Sequence, residues 1–421
     1  MLDNMATKKR ILVVHNSYQI KGGEDFVFQN EVEMLKKAGH AVEIYTRSNS
    51  EISDAGARKK VRMAINSFFS TKTYKEVNRI IREKKIDILH VHNTFFLISP
   101  SVFFCAFKNK IPVVQTLHNF RLVCPNGLLL RDGKICEECL DRGPKCALRH
   151  NCYRNSRAET FLMVMNILFY RFLGVFRKIY YICLTDYNRE KIIHSKSFEK
   201  LGLSESQFFV KFNFVKDVKE ERIHASDMKE PYFLYCGRLS EEKGVLTLLK
   251  AWKIYRSSLD TSTDAVEPCR LVVLGDGELM QECRNIAEEI GDGSVLLLGA
   301  TENEIAHQYM QYAIATIVPS ECYEGCSLTT LEAFSHGCPV IGSDIGNIKL
   351  TVKPGINGYH FRAGDSQSLA ETILYVSKHR DEEMKKGAFD TFVKYYSEER
   401  NLQVLEEIYA KISGEIQYGE G

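Results

Sequence analysis

The chain has 421 residues, 44% of them hydrophobic and 26% charged, with a net charge of +2. Those values fit a folded protein of two or three domains and exclude a disordered or fibrous chain. No run reaches the roughly 18 apolar residues of a membrane span. The N-terminal MLDNMATKKR runs straight into a strand-like ILVVH without a secretory apolar region, so a cytoplasmic location is expected. Charge is unevenly spread: residues 1–225 carry 38 Lys and Arg against 23 Asp and Glu, and the remainder carries 18 against 31. A basic half suits contact with an anionic surface or ligand, although part of this charge belongs to ordinary solvated helix faces.

In chain order, short apolar runs at 11–15, 41–46, 86–92, 112–117 and 180–185 alternate with helical periodicity at 26–38 and 74–84. Strands apolar on both faces and separated by helices predict a parallel sheet covered on both sides. After a charged stretch at 216–230 the pattern repeats. Strands are predicted at 232–236, 271–274, 295–298, 315–318 and 339–341, with helices at 244–255, 278–289, 302–312, 327–336 and 366–378. The fold class is therefore α/β: two Rossmann-like, doubly wound domains facing across a cleft, with loops gathered at the carboxyl edge of each sheet. The division reads 1–215, a linker at 216–230, a second domain at 231–395, and a helix within 396–421 that returns to the first domain.

Two segments of the second half carry chemistry. In CGRLSEEKG, Gly237 permits a tight turn after a strand, Arg238 follows it, and Lys243 stands at the next helix. A guanidinium, an ammonium and helix amides at one strand edge can neutralise a diphosphate. In PSECYEGCSLTTLEAFSHGCPVIGSD, Gly325 lets the backbone approach a ligand, and the amides of Cys326, Ser327 and Leu328 open a helix. Glu324 lies in the loop and Glu332 about a turn and a half into that helix. One carboxylate can face a sugar while the other accepts from ribose hydroxyls.

These segments resemble the retaining GT-B glycosyltransferases of family 4, of the polysaccharide-biosynthesis type. The resemblance implies that Arg238 and Lys243 hold the nucleotide diphosphate, Glu324 meets the donor sugar and Glu332 the ribose. The usual Glu-Gly-Phe-Gly run reads Glu-Gly-Cys-Ser here, and Ser327 can cap the helix. In the first half, Gly22 and Gly23 resemble the family's diglycine loop near donor phosphates. His118, at the end of a strand, matches a histidine placed near the transferred sugar, whereas His92 reads as structural.

The implied activity is transfer of a sugar from a UDP- or GDP-type donor to a saccharide, commonly lipid-linked, with retention and without a catalytic metal or other cofactor. Glu324 and His118 are the expected catalytic residues. A sugar-nucleotide epimerase and a non-catalytic sugar-nucleotide binder are the alternatives. Nucleic acid is not an expected partner, since no recognisable binding module is present.

Two features stand apart. Cys124, Cys136, Cys139, Cys146 and Cys152, with His150, fall in a loop-rich insertion at about 120–155, where CEEC has the spacing of a zinc knuckle. A structural zinc and reduced loop thiols are both open readings. FLMVMNILFYRFLGVF at 161–176 is apolar almost all round and flanked by Arg154, Arg157, Arg177 and Lys178. It suits either a buried helix or a helix lying on the inner face of the cytoplasmic membrane.

Overall fold

Ile11, Leu12, Val13 and Val14 are wholly buried, as a parallel strand covered on both faces requires. In this computed structural model they form the centre of β1 (Arg10–Ser17), and β2 (Ala41–Ser48), β3 (Ile88–Asn93) and β4 (Val113–Leu117) follow. A two-residue-arm hairpin, β5 (Leu130–Arg131) with β6 (Lys134–Ile135), precedes β7 (Tyr180–Cys183) and β8 (Phe208–Val210). The six main strands are all parallel and ordered β2-β1-β3-β4-β7-β8.

The second sheet contains β9 (Tyr232–Cys236), β10 (Arg270–Leu274), β11 (Val295–Gly299), β12 (Ala315–Val318), β13 (Val340–Ser343) and β14 (Gly358–Phe361). Its order is β11-β10-β9-β12-β13-β14, again all parallel. This is the doubly wound dinucleotide-fold order, with its reversal between β9 and β12. Trp252 fills its core, wholly buried and edge-on to Phe233, and its indole N–H donates to Ser294 Oγ at 2.9 Å.

The structure describes residues 7–19, 22–53, 56–216, 230–260 and 267–414. They divide into a first unit of Met1–Leu129, Cys136–Asn213 and Glu398–Gly421, and a second of Leu130–Ile135 and Phe214–Ser397. The β5-β6 hairpin, expected within the first domain, thus groups with the second unit. Of the expected linker, residues 217–229 lie outside the described residues.

The helix Gly23–Lys37 explains much of the first unit. Val27, Phe28, Val32, Met34 and Leu35 form its buried stripe, acidic Glu24 and Asp25 sit in its first turn, and Lys36 and Lys37 in its last. That polarity matches the helix dipole. Glu31 falls on the same stripe and is itself fully buried, which an unpaired carboxylate could not tolerate. Lys211, 2% exposed, meets it at 2.8 Å. Asn401 Oδ1, on the C-terminal helix Glu398–Ile412, accepts from the same ammonium at 3.0 Å. Further ties from that helix are Glu398 to Lys37 at 3.1 Å, Glu406 to His40 at 3.0 Å and the Tyr409 hydroxyl to His90 Nδ1 at 2.7 Å. The last helix is therefore part of the first unit's core although it follows the whole second sheet in sequence.

Removing one member of a buried ion pair costs about 3–5 kcal/mol, while replacing both by apolar groups is often neutral. Lys211→Met should lower stability by about that amount, and Lys211→Met with Glu31→Leu should regain most of it. Urea denaturation of the full chain checks both variants.

Candidate active site

The second unit's site grows from the edge where β9 and β12 diverge. After β9, Gly237 and Arg238 open a loop braced by Tyr235, whose hydroxyl donates to Arg238 O at 2.7 Å. Lys243 sits in a 3₁₀ turn, Glu241–Lys243, and the helix Val245–Asp260 starts beyond Gly244. Gly244 has φ +69°, and a Cβ there would stand 1.9 Å from Pro319 O. No other residue allows this close passage of the two loops.

After β12, the Lys243 ammonium meets Glu324 Oε1 at 2.8 Å. Ser320 also donates to that carboxylate, and Asn347 Nδ2 bonds the carbonyls of Glu324 and Gly325. Burial alone would raise the Glu324 pKa, but Lys243 and hydrogen bonds from Ser320 and Ser327 outweigh it and hold the group below the usual carboxylate value. Glu332 has no comparable cation, and burial pushes it up to about 7. Two carboxylates eight positions apart thus have their pKa values pushed in opposite directions.

Ser327 is the N-cap of the helix Leu328–Ser335, its hydroxyl accepting from the Thr330 amide at 3.5 Å. Thr329 Oγ1 donates to Cys236 O at 3.2 Å, fastening that helix to the end of β9. Arg238, Lys243, Glu324, Gly325, Cys326, Ser327, Leu328 and Glu332 therefore all lie on the loops and first turns that follow β9 and β12. Arg238 is exposed, while Lys243 and both glutamates are half-buried. The run Gly275-Asp276-Gly277 after β10 escaped the sequence reading. A Cβ on Gly275 would stand 1.8 Å from Gly237 O, and one on Gly277 2.3 Å from Leu239 O. Glycines directly after a strand were the available signal.

In the first unit, His118 follows β4 and borders a cavity of about 90 Å³, together with Glu24, Thr94, Gln115, Arg121 and Asn166. Gly22 and Gly23 open the helix Gly23–Lys37. The Gly22 amide donates to Asp25 Oδ2 at 2.9 Å, and Asp25 Oδ1 is 2.9 Å from His15 Nε2. Glu24 accepts from the Tyr18 hydroxyl at 2.9 Å, and burial raises its pKa despite nearby His15 and Arg121.

Behind His118, His92 Nδ1 is 3.0 Å from His118 Nε2, and His92 Nε2 is 3.1 Å from Glu31 Oε1. His90 Nδ1 lies 3.2 Å from the same oxygen. Burial lowers the pKa of all three histidines, with Glu31 opposing it. Neither Glu24 nor Glu31 was found from sequence, because each falls within helical periodicity that reads as ordinary surface or core.

Glu31, His90 and His92 are the one trio of ligand atoms within 4.8 Å among the described residues. The Lys211 ammonium at 2.8 Å already supplies their cation, and Thr116 and His118 engage the outer histidine nitrogens. This is a hydrogen-bonded cluster rather than a metal centre.

In the insertion the Cys124 thiol donates to Asn126 Oδ1 at 3.0 Å; the neighbouring Cys139 lowers the Cys124 pKa and is itself raised, with Cys146 and Cys152 near enough to add to that rise. No three of these sulfurs lie within 4.8 Å of one another among the described residues.

The helix expected at 161–176 spans Arg157–Phe172 and is not buried all round. Met163, Val164, Ile167 and Tyr170 face inward, while Phe161 is 56% and Phe172 87% exposed. Among the described residues no helix is long and apolar enough to cross a membrane.

Residues 216–389 match the family described as glycosyl transferases group 1, and residues 21–147 match glycosyltransferase family 4. Lipopolysaccharide 1,2-N-acetylglucosaminetransferase of Salmonella typhimurium is 31% identical over 38% of this chain and 44% of its own length. Lipopolysaccharide 1,6-galactosyltransferase of Escherichia coli is 29% identical over 46% and 54%. The chain thus spans about half the length of these curated relatives.

Among solved structures, a glycosyltransferase from Rickettsia africae superposes with a TM-score of 0.69 at 14% identity, covering 96% of this chain and 99% of that one. Anabaena HepE in complex with UDP and glucose gives 0.63 at 16%, over 96% and 100%. The chain has the GT-B fold, and each of its two halves matches a glycosyltransferase family.

Proposed function

We propose that the chain transfers a sugar, with retention, from a nucleoside diphosphate sugar to a lipid-linked saccharide in surface polysaccharide synthesis. The observation that carries this reading is the Lys243–Glu324 pair at 2.8 Å beside a helix N-terminus, with Glu332 on the same helix. Arg238, Lys243 and the amides of the helix Leu328–Ser335 supply positive potential for a diphosphate. The same groups stabilise the departing phosphate as charge develops on it, with no metal demanded by this electrostatic role. Glu324, held ionised by Lys243, orients the sugar. Glu332 accepts from ribose hydroxyls. HepE structures hold UDP, glucose and UDP-glucose, and the curated relatives are lipopolysaccharide hexose and N-acetylhexosamine transferases; both support a sugar-nucleotide donor.

The direct test screens UDP- and GDP-sugars by thermal shift, since a ligand of the native state raises its stability, and then follows transfer to lipid-linked saccharides. Glu324→Ala and Lys243→Ala should each lose transfer by at least about a hundredfold while keeping the wild-type circular dichroism spectrum, although loss of one partner of the pair lowers the melting temperature. Near-normal turnover in either variant would reject the assignment. Sugar epimerisation without an acceptor would identify an epimerase instead.

Glu332 makes donor affinity pH-dependent. With a pKa of about 7 in the free protein, its ionised form accepts hydroxyl hydrogen bonds more strongly than its neutral form, so donor binding lowers its pKa. Affinity should be level above neutrality and weaken as pH falls through 7, by up to about tenfold per unit. Glu332→Gln should flatten that slope. Calorimetric titrations on both sides of neutrality measure it, and an equal slope in the variant would remove Glu332 from the donor site.

For the acceptor, Phe161, Met165, Phe169 and Phe172 form an exposed row on one helix. Arg154, Arg157, Arg171, Arg177 and Lys178 flank it. Such a face can lie in an anionic bilayer surface with its basic flanks at the headgroups, which would bring the enzyme to lipid-linked acceptors. Phe161→Ser with Phe172→Ser should cut co-sedimentation with phosphatidylglycerol-containing vesicles by about tenfold or more, leaving the thermal unfolding profile unchanged. Equal sedimentation would reject this surface as the membrane face.

A further inference from the structure

The loop after β4 carries a cation whose charge the fold meets poorly. Arg121 stays protonated at any ordinary pH. Its guanidinium lies among Tyr18, Tyr153 and Glu24, with Cζ 5.4 Å from the centre of the Phe95 ring. Glu24 is the one carboxylate of that group, and burial raises its pKa against the pull of His15 and Arg121. The Arg121 Nε is buried and has no hydrogen-bond partner among the described residues. A cation held in this state is costly unless a further group meets it.

The backbone nevertheless fixes where Arg121 stands. Phe120 N–H donates to Gly127 O at 2.8 Å, and the Gly127 amide donates to Cys124 O at 2.9 Å. The Arg121 amide donates to Asn119 Oδ1 at 3.0 Å, which leaves Asn119 its two N–H donors. Gly127 has φ +81°, and a Cβ there would stand 3.1 Å from Asn119 Oδ1. The turn therefore needs glycine.

Arg121 borders the cavity of about 90 Å³ described above, and the lining of that cavity is of two kinds. Thr94, Gln115, Asn119 and Arg121 bring hydrogen-bond donors, whereas Phe103, Met163, Ile167 and Phe176 are apolar. Such a mixture suits an amphiphile, with an anionic head beside hydrocarbon. Met163 and Ile167 belong to the inward side of the helix Arg157–Phe172, whose exposed Phe161 and Phe172 form the proposed membrane face. All of these residues belong to the first unit, so the site needs nothing from the second.

We propose that this cavity is an anion subsite in which Arg121 recognises the phosphate that joins lipid to saccharide in the acceptor. The phosphate oxygens meet the guanidinium in its bidentate fork geometry, and the first methylenes of the lipid lie against the apolar lining. The carboxylate of an acidic sugar has no hydrocarbon beside it and would leave that lining uncovered. The acceptor as ligand rests on the glycosyl-transfer reading above; a site for an amphiphilic phosphate does not.

The probe is decyl phosphate, titrated calorimetrically into the full chain below its aggregation concentration, beside decyl glucoside and inorganic phosphate. Decyl phosphate should bind at least about tenfold more tightly than either comparison, and Arg121→Gln should lose about tenfold or more of that affinity. Arg121→Lys keeps the charge without the fork and should fall between them. UDP affinity should be equal in all three proteins. Inorganic phosphate binding as tightly as decyl phosphate would make this a site for free anions, and decyl glucoside binding as tightly would make it an apolar groove. Either result overturns the proposal, as does equal decyl phosphate affinity in Arg121→Gln.

The ¹⁵N signal of the Arg121 Nε–H gives a readout in the unaltered protein, with Arg121→Lys serving only to assign it. The signal should move on adding decyl phosphate and stay in place with decyl glucoside; no movement with decyl phosphate overturns the contact. In transfer to a phosphate-linked acceptor, Arg121→Gln should raise the acceptor KM by about tenfold or more with the donor KM unchanged. A wild type that neither binds sugar nucleotides nor transfers would defeat the glycosyl-transfer reading, and with it the acceptor as ligand, while the decyl phosphate results still decide the subsite.

Discussion

Parallel strands cannot be joined by tight turns; each needs a crossover, and a right-handed crossover returns every chain segment to the same end of its sheet. Most of what is distinctive in this protein follows from that constraint, applied twice. In the second sheet the order reverses between β9 and β12, so the loops after those strands part and leave their amides and side chains facing outward. Lys243 and Glu324 come from the two sides of that parting, 81 residues apart in sequence. In the first sheet the reversal lies between β1 and β3, and the loops after β1, β3 and β4 supply Glu24, Asn93, Thr94 and His118 to one cavity.

Within those frames the working differences are set by which carboxylates have cations. Glu31 and Glu324 each meet a lysine at 2.8 Å and are held ionised. Glu332 and Glu24 lack such a direct partner, and burial raises both. Burial and pairing therefore push the pKa of one side-chain type in opposite directions within each unit, which is how a site separates a fixed charge from a group that responds to its ligand. The Glu31–Lys211 pair differs from Glu324–Lys243 in its depth. Its closure by the C-terminal helix through Asn401 and Tyr409 makes it structural.

The fold was legible because its signals are periodic. Apolar runs marked β9 and β12 to the residue, and β1, β3 and β4 to within two residues at the amino end. What stayed hidden was short or charged. β8 has three residues and β14 four, and Gly358 at the start of β14 weakens its strand signal. The Arg/Lys and Glu/Glu positions of the loops after β9 and β12 stand out in the sequence because glycines flank them at strand ends. Glu31, His92 and Lys211 do not, since their significance lies in mutual distance: 61 residues separate Glu31 from His92, and no local pattern records the contact. The helix Arg157–Phe172 admits two readings in sequence for the opposite reason. Its composition is apolar on all faces, and only packing decides that Phe161 and Phe172 stay outside.

The departure at Cys326 and Ser327 acquires a physical sense from the same contacts. A glycine at 327 would leave the first helical amides of the helix Leu328–Ser335 entirely to an anion. Ser327 takes up the Thr330 amide and also donates to the Glu324 carboxylate. One amide that could have faced a phosphate is thereby used internally. In return, the carboxylate gains a third fixed partner besides Lys243 and Ser320, and a cap of this kind contributes about 1 kcal/mol to the helix it opens. The loop is further held by Asn347 on the carbonyls of Glu324 and Gly325. On the proposed function, this serine moves binding capacity away from the phosphate position and toward a rigid Glu324, and such a site would depend more on Arg238 and Lys243 for its diphosphate and more on the fixed carboxylate for choosing its sugar.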